Sequence, residues 1–200
     1  IPYQCVKNLF VENPYRCFTA SNMTLVYEQL PNNTQSTHDS ITLYTYNLKN
    51  NVYFLSDAHL GSESHENSID VERKMCRWFD AVKHDAQAIY LMGDIFDYWF
   101  EYKNVVPRGF TRVLGKLSEI TDSGIPVYFF IGNHDIWLTD YLATECGLIV
   151  RKKPVIKEIN GKVFFLAHGD GLKDESWTFR MLRKIYHNKF LRILFAGVHP

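Results

Sequence analysis

Seven side chains in this sequence are of the kinds that hold divalent cations or move protons, and they fall in a repeating position. Asp57 and His59 follow the short apolar run Val52–Leu55, and Asp94 follows Ala88–Met92 and Gly93. Asn133, His134 and Asp135 follow Val127–Ile131 and Gly132, and His168 follows Val163–Ala167. Each piece alone has a bland reading: Gly-Asp usually marks a turn, and a lone His is usually a satisfied surface or core residue. Four such pieces in succession, each at the end of an apolar run of strand length, point to one shared site. Open α/β sheets gather ligands outside the carboxyl ends of their strands. In an extended segment residues i and i+2 face the same side, so the spacing predicts that Asp57 and His59 leave their strand together.

Oxygen and nitrogen donors without a thiolate suit Mn, Fe, Zn or Mg, and imidazole disfavours Ca. One carboxylate between two ions can bridge them at about 3.5–4 Å. An ion pair of that kind polarises a phosphoryl group, activates water and neutralises the charge that develops during in-line displacement. Phosphoester or pyrophosphate hydrolysis is the chemistry this donor set does best.

The elements needed to position these residues are legible between them. Ile69, Val71, Met75, Trp78, Phe79 and Val82 approximate helical spacing over 68–84. A second helix is expected over 107–121 with Pro107 at its entry, and a third over 137–146, closed by Gly147. Asn160-Gly161 between Val155–Ile159 and Val163–Ala167 is a hairpin signal. Strands alternating with helices imply a layered α/β domain, placed at 49–200. Residues 1–48 form an N-terminal, β-prone extension without a chemical motif. It holds the polar stretch Asn32-Asn33-Thr34-Gln35-Ser36-Thr37 and the pieces Leu25–Tyr27 and Ile41–Tyr46.

Composition narrows the partners. Hydrophobic residues at 46% suffice for a core, and 22 basic residues balance 22 acidic ones, so no global field recruits nucleic acid. The four cysteines, Cys5, Cys17, Cys76 and Cys146, lack CxxC spacing, which fits free thiols in a reduced cytosol. No signal peptide or membrane-span pattern is present, and nothing calls for an obligate protein partner. Residues 174–196 read as a helix that is basic and apolar together. It suits an anionic membrane surface, a cap over a groove for acyl chains and phosphate, or ordinary packing with a solvated basic side. Arg180, Arg183 and Lys184 are its candidates for contacts to a pyrophosphate or sugar phosphate. Tyr98-Trp99-Phe100 reads as core or site wall, and Asp97 as loop support rather than a metal ligand.

Asp-x-His, Gly-Asp-x-x-Asp, Gly-Asn-His-Asp and the later His-Gly-Asp resemble the successive blocks of the calcineurin-like metallophosphoesterases, across residues 52–170. The resemblance implies a layered α/β/β/α sandwich carrying two divalent ions, with Mn2+ the best match. Asp57 and His59 would hold the first ion, Asp94 would bridge, and Asn133 and His168 would hold the second. His134 would stabilise the transition state or protonate the leaving oxygen, with Asp135 orienting it. Phe-Leu-Ser-Asp-Ala-His-Leu-Gly, Gly-Asp-Ile-Phe-Asp-Tyr-Trp-Phe-Glu and Leu-Ala-His-Gly-Asp-Gly resemble more narrowly the UDP-2,3-diacylglucosamine diphosphatases of Gram-negative lipid A biosynthesis, in their Bacteroidota-like form. That likeness implies a lipid-linked UDP-sugar substrate, cleaved to UMP and 2,3-diacylglucosamine 1-phosphate at the cytoplasmic face of the inner membrane. Many members carry Arg where His134 stands, so the acid role here follows the broader superfamily.

The sequence departs from the superfamily in one block. No Gly-His-x-His follows His168; the only later histidines, His187 and His199, lack its spacing. The reading is therefore of a domain cut at its C-terminal end, with about three protein donors left per ion and weak metal binding and turnover expected. The alternatives are a metallophosphoesterase acting on another phosphoester or nucleotide, and a non-catalytic domain that keeps the fold.

Overall fold

The computed structural model describes residues 15–19, 51–62, 67–102 and 104–169, together with single positions 181, 188, 190, 193, 194 and 197. Elements run in the order β1 (Tyr15–Thr19), β2 (Asn51–Ser56), α1 (Ser68–Val82), β3 (Ala86–Leu91), α2 (Thr111–Asp122) and β4 (Val127–Phe130). They continue with α3 (Tyr141–Thr144), β5 (Ile149–Arg151), β6 (Val155–Ile159) and β7 (Lys162–Leu166). The first five strands form one parallel sheet in the order β1-β2-β3-β4-β5, and β6 and β7 form an antiparallel hairpin. Parallel neighbours need crossovers, and α1, α2 and α3 supply them from β2 to β5.

Both faces of the parallel sheet are covered, which is why its central strands read as unbroken apolar runs rather than alternating ones. Tyr53, Leu55, Ile89, Leu91, Val127 and Phe129 face the helices and pack with Met75, Trp78, Phe79, Val113, Leu117 and Ile120. Val52, Phe54, Ala88, Tyr90 and Phe130 face the other way, against Ile159, Phe164 and Leu166 of the hairpin. The described residues thus make helix, sheet and hairpin layers. The expected basic helix over 174–196 lies outside the described residues except at single positions.

Local chemistry sets the boundaries. The Asn67 side chain accepts the Ile69 N–H at 3.2 Å, and Asp70 lies in the first turn of α1, where the helix dipole favours negative charge. α2 begins at Thr111, not at Pro107, because Gly109 (φ 107°) and Phe110 (φ 61°) are still turning the chain in the left-handed region. The expected helix over 137–146 shrinks to the single turn of α3, since Trp137 instead pairs its backbone with Phe100. Asn160 (φ 48°) and Gly161 (φ 75°) make the tight turn of the hairpin. Two strands escape sequence reading. One is three-residue β5; the other is β1, by which the N-terminal stretch adds an edge strand parallel to β2, in register from Tyr15–Val52 to Thr19–Ser56.

Candidate metal centre

After their regular hydrogen bonding ends, the segments following β2 and β3 continue side by side. Asp57 N–H donates to the Gly93 carbonyl at 3.1 Å, His59 N–H to Asp94 at 3.0 Å and Leu60 N–H to Ile95 at 2.9 Å; Asp97 N–H returns a bond to Leu60 at 2.9 Å. Along this zipper Asp57 (φ 55°), His59 (φ 44°) and Asp94 (φ 53°) are all left-handed. Such a conformation costs a non-glycine residue roughly 1–3 kcal/mol and persists only where surrounding bonds fix it. Asp57 and His59 therefore do not leave an extended strand as an i, i+2 pair. Two successive left-handed turns aim them instead.

Asp94 is 4% exposed and stands at the centre. One carboxylate oxygen accepts the His134 backbone N–H at 3.0 Å, and the other lies 3.1 Å from His168 Nε2. Burial opposes ionisation of Asp94, but the bonds from His168 and His134 outweigh it and hold the carboxyl below its ordinary range. Two glycines make the close approach possible. A Cβ on Gly132 would sit 2.2 Å from the nearer Asp94 oxygen, and one on Gly93 would sit 2.6 Å from His168 Nδ1.

The tautomers follow from the partners. His168 Nδ1 donates to the Met92 carbonyl at 2.9 Å, so a neutral ring presents a lone pair at Nε2. That lone pair meets Asn133 Oδ1 at 3.2 Å and the Asp94 oxygen at 3.1 Å. Three acceptors converging this way repel one another unless a proton or a cation sits among them. His59 Nδ1 lies 3.1 Å from an Asp97 carboxylate oxygen, and His134 Nδ1 donates to the Asp97 carbonyl at 2.9 Å. Each of these rings also keeps Nε2 for the site, and the two stand edge-on at 4.6 Å.

Two donor sets emerge, with donor atoms within 4.8 Å of one another in each: Asp57, Asp94 and His168, and His59, Asp94 and His134. Asp94 belongs to both, as a bridging carboxylate must. All donors are oxygen or imidazole nitrogen, so the residues fit a pair of divalent cations. Asp57 and His59, paired on one ion by the resemblance, each bring a donor atom within 4.8 Å of Asp94. Asn133 joins the Asp57 set through His168.

Asp135 does something other than orient His134. It is fully buried, with one oxygen accepting Gly132 N–H at 2.6 Å and the other Ile95 N–H at 3.0 Å. Burial raises its pKa to about 6 against those two bonds. It stitches the loop after β4 to the loop after β3, while His134 is held by Asp97. Support from Asp97 agrees with its loop-support reading. Trp99 and Phe100 are core, at 0% and 2% exposure, and only Tyr98 of that trio reaches solvent. Arg180, Arg183 and Lys184 lie outside the described residues. One buried carboxylate of this region, Glu101, went unmarked in the sequence; a lone acid inside the aromatic run Tyr98–Tyr102 was the available signal.

Fold, donor set and sequence agree on a class. The calcineurin-like phosphoesterase family model matches residues 51–196, and the chain belongs to that family. It is 48% identical over 154 residues to the UDP-2,3-diacylglucosamine hydrolase of Porphyromonas gingivalis, covering 76% of this chain and 59% of that protein. The proteins of that name from Edwardsiella ictaluri and Neisseria meningitidis serogroup A are each 30% identical, over 142 and 144 residues. Those matches cover 71% and 72% of this chain, and 53% and 58% of the relatives. The chain therefore spans less than two thirds of the length of the curated relatives it matches.

Proposed function

We propose that this chain carries the catalytic core of a metal-dependent pyrophosphatase that converts UDP-2,3-diacylglucosamine to UMP and 2,3-diacylglucosamine 1-phosphate. The observation that carries the reading is the shared position of Asp94 between two donor sets at the carboxyl ends of β2, β3, β4 and β7. The names of the relatives supply the substrate. Two divalent ions, with Mn2+ as the proposed pair, would neutralise phosphate charge there and activate water.

The protein's own residues have separate tasks in this reading. The His134 backbone N–H on one oxygen of Asp94 favours its ionised form against desolvation. Asp57, His59 and His168 bring donor atoms within 4.8 Å of Asp94, and Asn133 Oδ1 faces His168 Nε2 at 3.2 Å. His134 is exposed at the mouth, and its Nδ1–H is committed to the Asp97 carbonyl. In this reading His134 is a proton donor and not a ligand of either ion: a proton at its other nitrogen can pass to the leaving oxygen without disturbing that bond. Arg180, Arg183 and Lys184 are proposed to contact the substrate's phosphates, and the basic stretch around them to rest on the cytoplasmic face of the inner membrane. Among the described residues no helix is long and apolar enough to cross a membrane.

UMP release from UDP-2,3-diacylglucosamine in detergent, with and without Mn2+, tests the reading. Metal-dependent release that disappears in Asp94→Asn is the expected result. Turnover of nucleotides or simple phosphodiesters in preference to the UDP-lipid would retain the chemistry and remove the substrate.

A further inference from the structure

Asp97 and His134 sit on different loops, and their contact lasts only if the two loops keep their spacing. Near the metal centre that spacing is fixed by Asp94, which accepts His134 N–H across the gap, and by Asp135, which accepts Ile95 N–H from the other side. At the far end there is a second fixing point. Glu101, only 8% exposed, accepts Trp99 Nε1–H at 2.9 Å from its own loop. From the opposite loop it accepts the N–H of Asp140 at 2.9 Å, the N–H of Tyr141 at 3.2 Å and the Thr139 hydroxyl. The backbone bridge between Phe100 and Trp137 lies beside it.

We propose that Glu101 is a positioning residue that holds the Asp97 loop and the His134 loop in register, so that the His134 imidazole stays on the Asp97 carbonyl. A carboxylate in this place is held by neutral donors, and no cation among the described residues pairs with it. All three donors from the opposite loop meet one oxygen and Trp99 Nε1–H meets the other, so an amide can keep the cross-loop bonds while an alkyl side chain keeps none. The carboxylate's worth is geometric: a displacement of about 1 Å at a reacting group can cost on the order of 100-fold in rate.

The inference rests on the hydrolase reading for the role of His134, and its test separates the two. Glu101→Leu removes every acceptor and should lower kcat on the order of 10–100-fold with KM little changed, measured well below the melting temperature. The discriminating arm is a double-variant cycle with His134→Ala. If Glu101 acts through His134, Glu101→Leu lowers kcat no further on that background. Equal fractional losses on both backgrounds, or an unchanged kcat per folded molecule, would overturn the proposal. Bis(p-nitrophenyl) phosphate is assayed beside the UDP-lipid, so a wrong substrate assignment does not spoil the cycle. Amide hydrogen exchange of the metal-free protein needs no turnover. Faster exchange over 133–141 in Glu101→Leu is expected, and unchanged protection there would count against the proposal by itself. Thr139→Val, which removes one donor, replaces Glu101→Leu if that variant does not fold.

Discussion

The helix-covered face of the sheet and its carboxyl edge are built on opposite terms. On the face, Leu55, Met75, Phe79, Ile89, Leu91, Val113, Leu117 and Phe129 are all 0% exposed and bring no polar side-chain atoms with them. At the edge, three non-glycine residues are left-handed and the buried side chains include Asp94, Glu101, Asp135 and His168. Burying charge costs free energy unless hydrogen bonds replace water, and strained dihedrals add to that cost. The face therefore supplies stability that the edge consumes. The edge gains a fixed array of lone pairs. Changes on the face should alter folding and leave the chemistry per folded molecule intact, while changes at the edge should lower the chemistry of each folded molecule.

The largest expected effect is at the edge. Asp94→Asn removes charge shared by both donor sets and should lower metal-dependent hydrolysis beyond about 100-fold, since loss of even outer partners of metal ligands costs 10–100-fold. Far-ultraviolet circular dichroism should stay that of the parent. Gly132→Ala tests the cradle itself. Its Cβ would meet Asp94 at 2.2 Å and the Asp94 backbone N at 2.5 Å, so overpacking of about 1–3 kcal/mol is expected together with lost metal affinity. Denaturant titration and calorimetry read these separately. On the face, Phe79→Ala should cost about 3–5 kcal/mol with kcat per folded molecule unchanged. A fall in kcat comparable to that of an edge variant would break the comparison.

A pH effect comes next. Asp135 has a folded pKa of about 6 against an ordinary value of 3.8, so between those values the folded state binds more protons than the unfolded state. Its contribution to stability is full below about 3.8 and is lost as pH rises through about 6, by up to about 3 kcal/mol. Metal-free Asp135→Asn should lack that loss. Its stability relative to the parent should therefore rise between pH 4 and 6, followed by denaturant midpoints. A constant difference would mean that Asp135 does not titrate there. The smallest effect belongs to the surface cluster of Asp80, Lys83, Lys116 and Glu119, which ties α1 to α2. Lys116→Met should shift the melting temperature slightly, less so in high salt, and leave activity unchanged.

The two regions also differed in how legible they were. Core helices announce themselves through spacing, so Met75, Trp78, Phe79 and Val82 were readable as the buried stripe of α1. The edge residues were readable by type, because carboxylates and imidazoles after short apolar runs have few other uses in such a series. Their geometry was not. Extended backbone was expected at Asp57 and His59, whereas two left-handed turns place them, and only the bonds to Gly93 and Asp94 show why. Asp135 adjoins His134 in sequence yet bonds Gly132 and Ile95; the contact to His134 comes from Asp97, 37 residues earlier. Glu101 was hidden for the same reason, since its role depends on donors about 40 residues away. Short-range pattern finds which residues matter. Pairings across loops decide what each one does.

The central claim is that one carboxylate is shared by two ions, and calorimetric titration of the metal-free protein with Mn2+ tests it most directly. The account predicts two ions per chain for the parent and loss of both binding events in Asp94→Asn. A single ion in the parent, or an Asp94→Asn variant that still takes up two, would contradict it.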